Sequence, residues 1–361
     1  MEFLFTKDVD WLSKWDHFVQ TNDRGSHLLL SDWLNSYEAY NFDYEVCIVL
    51  HKGEIVGGFG AVIAKALFLK FYIIPYGPIV SVGFEKELNT LIQHVVNRAT
   101  FHKSCYCHIT LPLASYENPH IMAETSKLEV LATASSGHLF HHVYSSSGLN
   151  WVDLKKYASE NHLLTDLKLS PRRYVRKALQ NNLIVKAVTH EHDIECAYQI
   201  CIENAKSRKY NVREWKAIKD TLIYLIQKNH AKFLVASSGN VIKGSLLIIK
   251  AGNHFTYILG GTQKEKPDLY VGHLLHWEAI KLSFQEGYDG YNISLGGSVG
   301  VQRFKSGFNA ESLCFKESKY HWILNPFYFK IYLFFKVNLK KHKHRIGSFL
   351  TIINRKNENR K

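Results

Sequence analysis

Gly53-Glu-Ile-Val-Gly-Gly-Phe-Gly-Ala-Val-Ile63 and Gly239-Asn-Val-Ile-Lys-Gly-Ser-Leu-Leu-Ile-Ile249 are written to one plan. Each opens on a glycine turn, runs through two β-branched residues to a second glycine, and ends in an apolar strand. Each is preceded by another apolar stretch, Val46–Leu50 and Phe233–Ala236, so each reads as a β-hairpin. The likeness continues downstream. Phe71-Tyr-Ile-Ile-Pro-Tyr-Gly77 matches Phe255-Thr-Tyr-Ile-Leu-Gly260. Helices are predicted over Lys86–His102 and Tyr270–Glu286, the second with Asp268 as a cap candidate and Gly287 at its stop. Strands Tyr106–Leu111 and Tyr291–Leu295 follow. Four elements in one order, all offset by about 185 residues, indicate an internal duplication.

The chain has 361 residues, more than one ordinary core needs. We therefore expect an α/β protein of two similar units, residues 1–150 and 151–320, followed by an aromatic and basic segment, 321–361, that is partly disordered. Hydrophobic residues make up 46% and charged residues 21%, which excludes a wholly disordered chain. The six cysteines are scattered without a C-x-x-C pair, as in a reducing compartment. The first ten residues carry Glu2, Asp8 and Asp10, so no signal peptide is expected, and no apolar run is long enough to span a bilayer. These features predict a cytoplasmic protein. The net charge is +13, and residues 330–361 hold ten Lys or Arg against one acid, Glu358. Such a tail suits a polyanion: an anionic membrane surface met peripherally, or RNA.

Four stretches resemble the Fem (FemABX) aminoacyltransferases and their GNAT-like, BioF2-like relatives. They are Ile74-Pro-Tyr-Gly-Pro-Ile-Val80, Ser170-Pro-Arg-Arg-Tyr-Val-Arg-Lys-Ala178, Leu275-His-Trp-Glu-Ala-Ile280 with Gly287-Tyr288, and Gly296-Gly-Ser-Val-Gly-Val-Gln-Arg-Phe-Lys-Ser-Gly-Phe308. The last is the most specific. The resemblance implies two tandem GNAT-like (acyl-CoA N-acyltransferase) domains, each a mixed β-sheet flanked by helices. It implies an enzyme that moves an amino acid from aminoacyl-tRNA to an amine of a peptidoglycan precursor, with no cofactor beyond the donor. There are three departures; the first two keep a second reading open, an acyl-CoA-dependent N-acyltransferase acting on a nucleotide-sugar or surface-polysaccharide precursor, and the third weakens a CoA donor. Trp33 is not followed by the lysine that relatives carry there. No long helical arm is expected, since Asn161–Asn182 reads as a single helix. Lys266-Pro-Asp-Leu-Tyr-Val-Gly272, ahead of the second helix, is not a pyrophosphate loop. A third reading, an inactive binding module, is disfavoured by the intact Phe304-Lys305 pair.

Acyl transfer to an amine needs a donor held within reach and a stabilised oxyanion. Lys305, beside Phe304, is the candidate for the oxyanion, a role the resemblance also implies. Gly296, Gly297 and Gly300 permit close backbone approach to a ligand, and Arg303 adds charge. Arg173, Arg176 and Lys177 share one helical face suited to phosphates. The resemblance carries an acceptor-phosphate role to Arg208, and Tyr257 lies on a central strand near the cleft. His276 and Glu278 are the candidates for a base. His138, His141 and His142 have a zinc-like spacing, but no cysteine or carboxylate joins them, and no metal is expected. Neither the acyl group nor the oligomeric state is legible.

Overall fold

The structure is a computed structural model that describes residues 1–66, 68–112, 140, 142–146, 148–314 and 319–340. His138, His141, most of the expected connector 131–150 and the tail beyond residue 340 lie outside the described residues. The first unit contains β1 (Glu2–Thr6), α1 (Val9–Thr21), α2 (Ser31–Asn35), β2 (Asp43–His51), β3 (Glu54–Ala66), β4 (Leu69–Ile74), β5 (Ile79–Val80), α3 (Glu87–Phe101) and β6 (Tyr106–Thr110). The second contains β7 (Gly148–Asp153), α4 (Glu160–Asp166), α5 (Leu169–Gln180), β8 (Ile184–Val188), α6 (Glu191–Arg208), α7 (Trp215–Gln227), β9 (Ala231–Ser238), β10 (Val241–Lys250) and β11 (His254–Thr262). It is completed by α8 (Val271–Gln285), β12 (Gly290–Asn292), α9 (Val299–Ser306) and β13 (Glu311–Cys314). β14 (Lys319–Ile323) and α10 (Pro326–Lys340) close the described chain.

The duplication is visible as topology. One sheet runs β1-β2-β3-β4-β6-β14, with β5 on β3, and the other runs β13-β7-β12-β11-β10-β9-β8. In both, an antiparallel hairpin (β2–β3, β9–β10) leads to a third antiparallel strand (β4, β11). A helix (α3, α8) then crosses to a parallel neighbour (β6, β12). Each sheet also takes a first strand before its hairpin, β1 on β2 and β8 on β9. The tandem GNAT-like α/β architecture expected from the sequence is the one observed. The chain also crosses between the sheets: β7 enters the second sheet beside β12, and β14 returns to the first beside β6.

The central strands β2, β3 and β10 are buried in unbroken runs, as strands covered on both faces must be. α3 covers the outer face of the first sheet through Leu88, Leu91, Ile92, Val95 and Ala99. α5 and α8 cover the outer face of the second, and α8 buries eight of its fifteen residues there. Between the sheets lies one continuous core: Trp15 and Val19 of α1, Leu34 of α2, Tyr198 and Cys201 of α6, Leu222 and Leu225 of α7. The two units are thus sealed by a shared apolar layer.

Three local expectations change. Asn161–Asn182 holds two helices, because Leu167 and Lys168 take extended backbone (ψ 145° and 150°) and separate α4 from α5. Asp268 does not cap α8; Tyr270 takes the cap position in left-handed backbone (φ 57°), and Asp268 accepts its N–H at 2.8 Å. Gly287 does stop that helix, at φ 75°.

The units touch at Gly25. A Cβ there would lie 1.9 Å from the Val19 carbonyl oxygen and 2.6 Å from the Gly252 nitrogen, which donates to that same oxygen at 3.1 Å. Gly25→Ala forces these backbones apart and should cost roughly 1–3 kcal/mol, read as a lower urea midpoint. An unchanged midpoint would contradict this packing.

Candidate active site

The site forms where two parallel strands part. β11 and β12 pair only over His254–Thr256 and Gly290–Asn292, yet β11 runs on to Thr262. Beyond Thr256 no strand among the described residues lies on the edge of β11 that faced β12. Two side chains manage the parting. Asn292 accepts the Asn150 and Ser294 N–H groups through Oδ1, each at 3.0 Å, and donates to Thr256 Oγ1 at 3.4 Å. The Ser294 hydroxyl donates to the Tyr257 carbonyl, the first one freed as the strands separate. Neither residue was singled out by sequence. Their signal was a polar pair ending an apolar strand, which is too common to select them.

After β12 the backbone turns through Ser294 (φ 63°), Gly296 (φ 88°) and Gly297 (φ 101°) into α9. Gly296 and Gly297 therefore hold the left-handed turn expected of them. Gly300 does not; it lies in the first turn of α9 with helical backbone, because the turn is finished at Ser298. The Phe-Lys-x-Gly-Phe motif is a packing device. Phe308 is fully buried, and Phe304, one helical turn before it, stacks edgewise on His273 and His276 at 4.7 and 5.4 Å. Gly307 is needed for space, since a Cβ would meet the Pro171 ring at 2.3 Å.

These anchors drive Lys305 inward. It is 6% exposed, and its ammonium donates to the carbonyls of Ser294 at 2.9 Å and Gly296 at 3.3 Å. It lies 5.7 Å from the centre of the Tyr257 ring. No carboxylate pairs with it among the described residues, and burial pushes its pKa down to about 8. A cation held by carbonyls alone keeps charge to offer an incoming anion.

The wall behind it is aromatic and neutral. Burial, reinforced by the charges of Lys305 and His273, pushes His276 down to about 3, and its Nδ1 lies 3.0 Å from the Tyr291 hydroxyl. Tyr257 packs edgewise on His276 at 4.8 Å, and burial raises its phenol. Glu278 points elsewhere, paired with Lys281 at 2.6 Å one turn along the helix.

The remaining candidates sit around this centre. Arg303 is exposed on α9. Arg173, Arg176 and Lys177 are exposed on α5, beside the stacked Tyr174 and Tyr270 rings at 4.5 Å. Arg208 ends α6 in solvent, where its charge reaches the Tyr210 hydroxyl. Arg213 enters the junction between the units instead. Its guanidinium lies over Tyr37 at 4.2 Å and Trp33 at 5.2 Å, and donates to Ser36 Oγ at 2.5 Å. Its Nη2 is buried without a hydrogen-bond partner among the described residues, as are Trp33 Nε1 and His27 Nδ1 nearby. Sequence reasoning passed over Arg213 because one arginine in Asn-Val-Arg-Glu-Trp carries no pattern. Among the described residues no cluster of His, Cys, Asp or Glu suits a metal ion.

Two sheets with strands parted at a helix-backed cleft define the class, a tandem GNAT-like acyltransferase fold. Residues 223–336, which include Tyr257, Phe304 and Lys305, match the family model described as "FemAB family". The crystal structure of FemX superposes with a TM-score of 0.77 at 14% identity, over 92% of this chain and 99% of that one. A tandem GNAT protein from the clavulanic acid biosynthesis pathway gives 0.52 at 12% identity, over 90% and 99%. The C-terminal domain of a putative lysylphosphatidylglycerol synthetase from Agrobacterium fabrum gives 0.53 at 11% identity, over 88% and 92%. No curated protein matches the chain. The resemblance to the Fem family read from the sequence is borne out over residues 223–336, and the fold is the tandem GNAT-like one.

The depressed Lys305 pKa has a consequence for stability. The folded state binds this proton less tightly than the unfolded chain. Folding is therefore penalised at pH values below about 8, and the penalty is relieved as pH rises toward the ordinary lysine value of 10.5. Lys305→Met should leave stability at pH 7 equal to the parent's or raise it by up to ~3 kcal/mol, with the gap narrowing by pH 10. Urea unfolding at both pH values measures this. A large loss at pH 7 would mean that the lysine stabilises the fold.

Proposed function

We propose that the protein transfers an aminoacyl group from aminoacyl-tRNA to an amine of a peptidoglycan precursor. The observation that carries this is Lys305, a buried cation with no carboxylate paired to it among the described residues, set at the parted strands. The acceptor amine attacks the ester carbonyl, and the Lys305 ammonium stabilises the oxyanion of the tetrahedral intermediate. The ester bond then breaks, the amide forms, and the tRNA ribose hydroxyl leaves with a proton. His276 is neutral and engaged by Tyr291. The amine proton therefore passes to water or to a carboxylate of the substrate. Arg303, Gly296, Gly297 and Tyr257 border the reacting group, and Phe304 holds the lysine in place. The exposed α5 cations, Arg173, Arg176 and Lys177, meet the tRNA backbone. Arg213 and Arg208 take the acceptor's anionic handle.

The start of α8 favours this donor over acyl-CoA. A CoA pyrophosphate in a GNAT-like fold needs free amides at that helix N-terminus. Here Asp268 places a carboxylate on the Tyr270 N–H, and Tyr174 stacks on the Tyr270 ring. The carboxylate at that terminus repels an incoming anion.

Offering labelled aminoacyl-tRNA and acyl-CoA in parallel tests the donor. We expect turnover of the first alone; consumption of acyl-CoA alone would establish the alternative. If Lys305 acts as the ammonium, kcat/KM falls as pH rises through about 8. Lys305→Arg should move that limb upward by more than about one pH unit, because arginine stays protonated. An unmoved limb would assign the ionisation to another group. Arg213→Leu should raise the KM for the acceptor about tenfold or more with a smaller change in kcat. Equal KM values would remove Arg213 from the acceptor site.

A further inference from the structure

α10 has two unlike faces. Phe329 and Tyr332 are buried at 2% and 6% exposure against Phe71 and Tyr106 of the first sheet. The opposite side carries Phe327 and Phe334, 69% and 66% exposed, with Tyr328 and Phe335 beside them. These positions recur at helical spacing, so they form one stripe along the helix. The turn between β3 and β4 adds Phe68, 66% exposed, whose ring lies 6.0 Å from that of Tyr328. Five aromatic side chains therefore make one outward surface from two separate elements. A surface helix ordinarily turns polar residues to water, so a contiguous aromatic patch of this kind marks an interface.

The charges around the patch select the partner. Lys65 and Lys70 stand directly opposite each other at the β3–β4 hairpin tip, on either side of Phe68. Neither takes part in an ion pair among the described residues. Like charges facing each other across a ladder repel, and an external anionic surface relieves that repulsion. Lys330 is exposed beside the aromatic stripe, and α10 contains no acidic residue. Beyond it the sequence continues Lys340-Lys-His-Lys-His-Arg345. No helix among the described residues is long and apolar enough to cross a bilayer. Aromatic rings ringed by lysines on a short helix match the interfacial zone of an anionic lipid leaflet.

We propose that this face of α10, together with the β3–β4 hairpin tip, seats the protein on anionic lipid membranes. The aromatic rings enter the headgroup region and the surrounding lysines contact lipid phosphates. The basic tail adds long-range attraction but does not define the binding surface.

The test is flotation of the full-length protein with vesicles of phosphatidylcholine and phosphatidylglycerol, one to one, and with phosphatidylcholine alone. The parent should float with the anionic vesicles and float at least about tenfold less with the neutral ones. Phe68→Ser, Phe327→Ser and Phe334→Ser combined should lower partitioning at least about tenfold without changing the melting temperature, since all three side chains are exposed. Lys341→Glu, Lys343→Glu and Arg345→Glu combined should lower it less. Parent-like flotation of the serine variant, with loss confined to the tail variant, would overturn the proposal in favour of a simple charged tether. A parent that does not float, but sediments as a dimer that the serine variant dissociates, would assign the face to a second copy of the chain. Transfer to a soluble acceptor should be unaffected by the serine variant, so this outcome is read separately from the proposed activity.

Discussion

The divergence of β11 from β12 is the constraint on which the site depends. Two parallel strands share three rungs and then part, while β11 stays paired with β10 up to Thr262. A parted strand leaves backbone carbonyls without ladder partners, and buried carbonyls must be satisfied. The protein satisfies them with side chains. Ser294 takes the Tyr257 carbonyl, and Lys305 takes those of Ser294 and Gly296. The groups that repair the broken ladder are thus the groups that build the cleft. The register shift in the β10–β11 pair, between Leu247 and Ile248, bends the same region.

Exchange of the closing strands places the single Phe-Lys-x-Gly-Phe segment of the sequence. In each unit the last matched strand needs a further neighbour on its open edge. β6 receives β14, which comes from beyond the second unit, and β12 receives β7, which comes from before it. In the second unit the chain between β12 and its exit must turn back to form β13 on β7, and α9 lies in that turn. In the first unit the chain leaves β6 to build the other sheet. The segment bearing Lys305 is therefore placed by the crossover, between β12 and β13.

The duplicated frame was legible because it is written in short-range patterns. Glycine turns, apolar runs and helix stops recur at one offset, and each acts locally. Phe304, Lys305 and Phe308 were legible as a motif, and their packing explains its spacing: an aromatic pair one helical turn apart, with a glycine where Pro171 leaves no space. The division at residue 150 falls inside β7, since strand exchange is a long-range event that no local pattern announces. The separation of α4 from α5 depends on extended backbone at Leu167 and Lys168, two residues with no strong turn signature. Arg213 was illegible for a related reason. Its meaning comes from Trp33, Ser36 and Tyr37, which approach it only when the two units meet.

The junction and the cleft share one physical character. In both, a cation is enclosed by aromatic rings and neutral acceptors, with no carboxylate paired to it among the described residues. Arg213 has Trp33, Tyr37 and Ser36; Lys305 has Tyr257 and two backbone carbonyls. A buried ion pair would hold such a cation more cheaply, but it would also neutralise it. Leaving the pair incomplete costs stability, visible at Lys305 as its lowered pKa and at Arg213 as an unpartnered Nη2. In the proposed reaction an anion offsets that cost: a developing oxyanion at Lys305 and an anionic handle at Arg213 each supply the missing charge. The shared apolar layer between the sheets makes this tolerable. It supplies stability remote from either cation, and so lets the protein keep two under-satisfied charges.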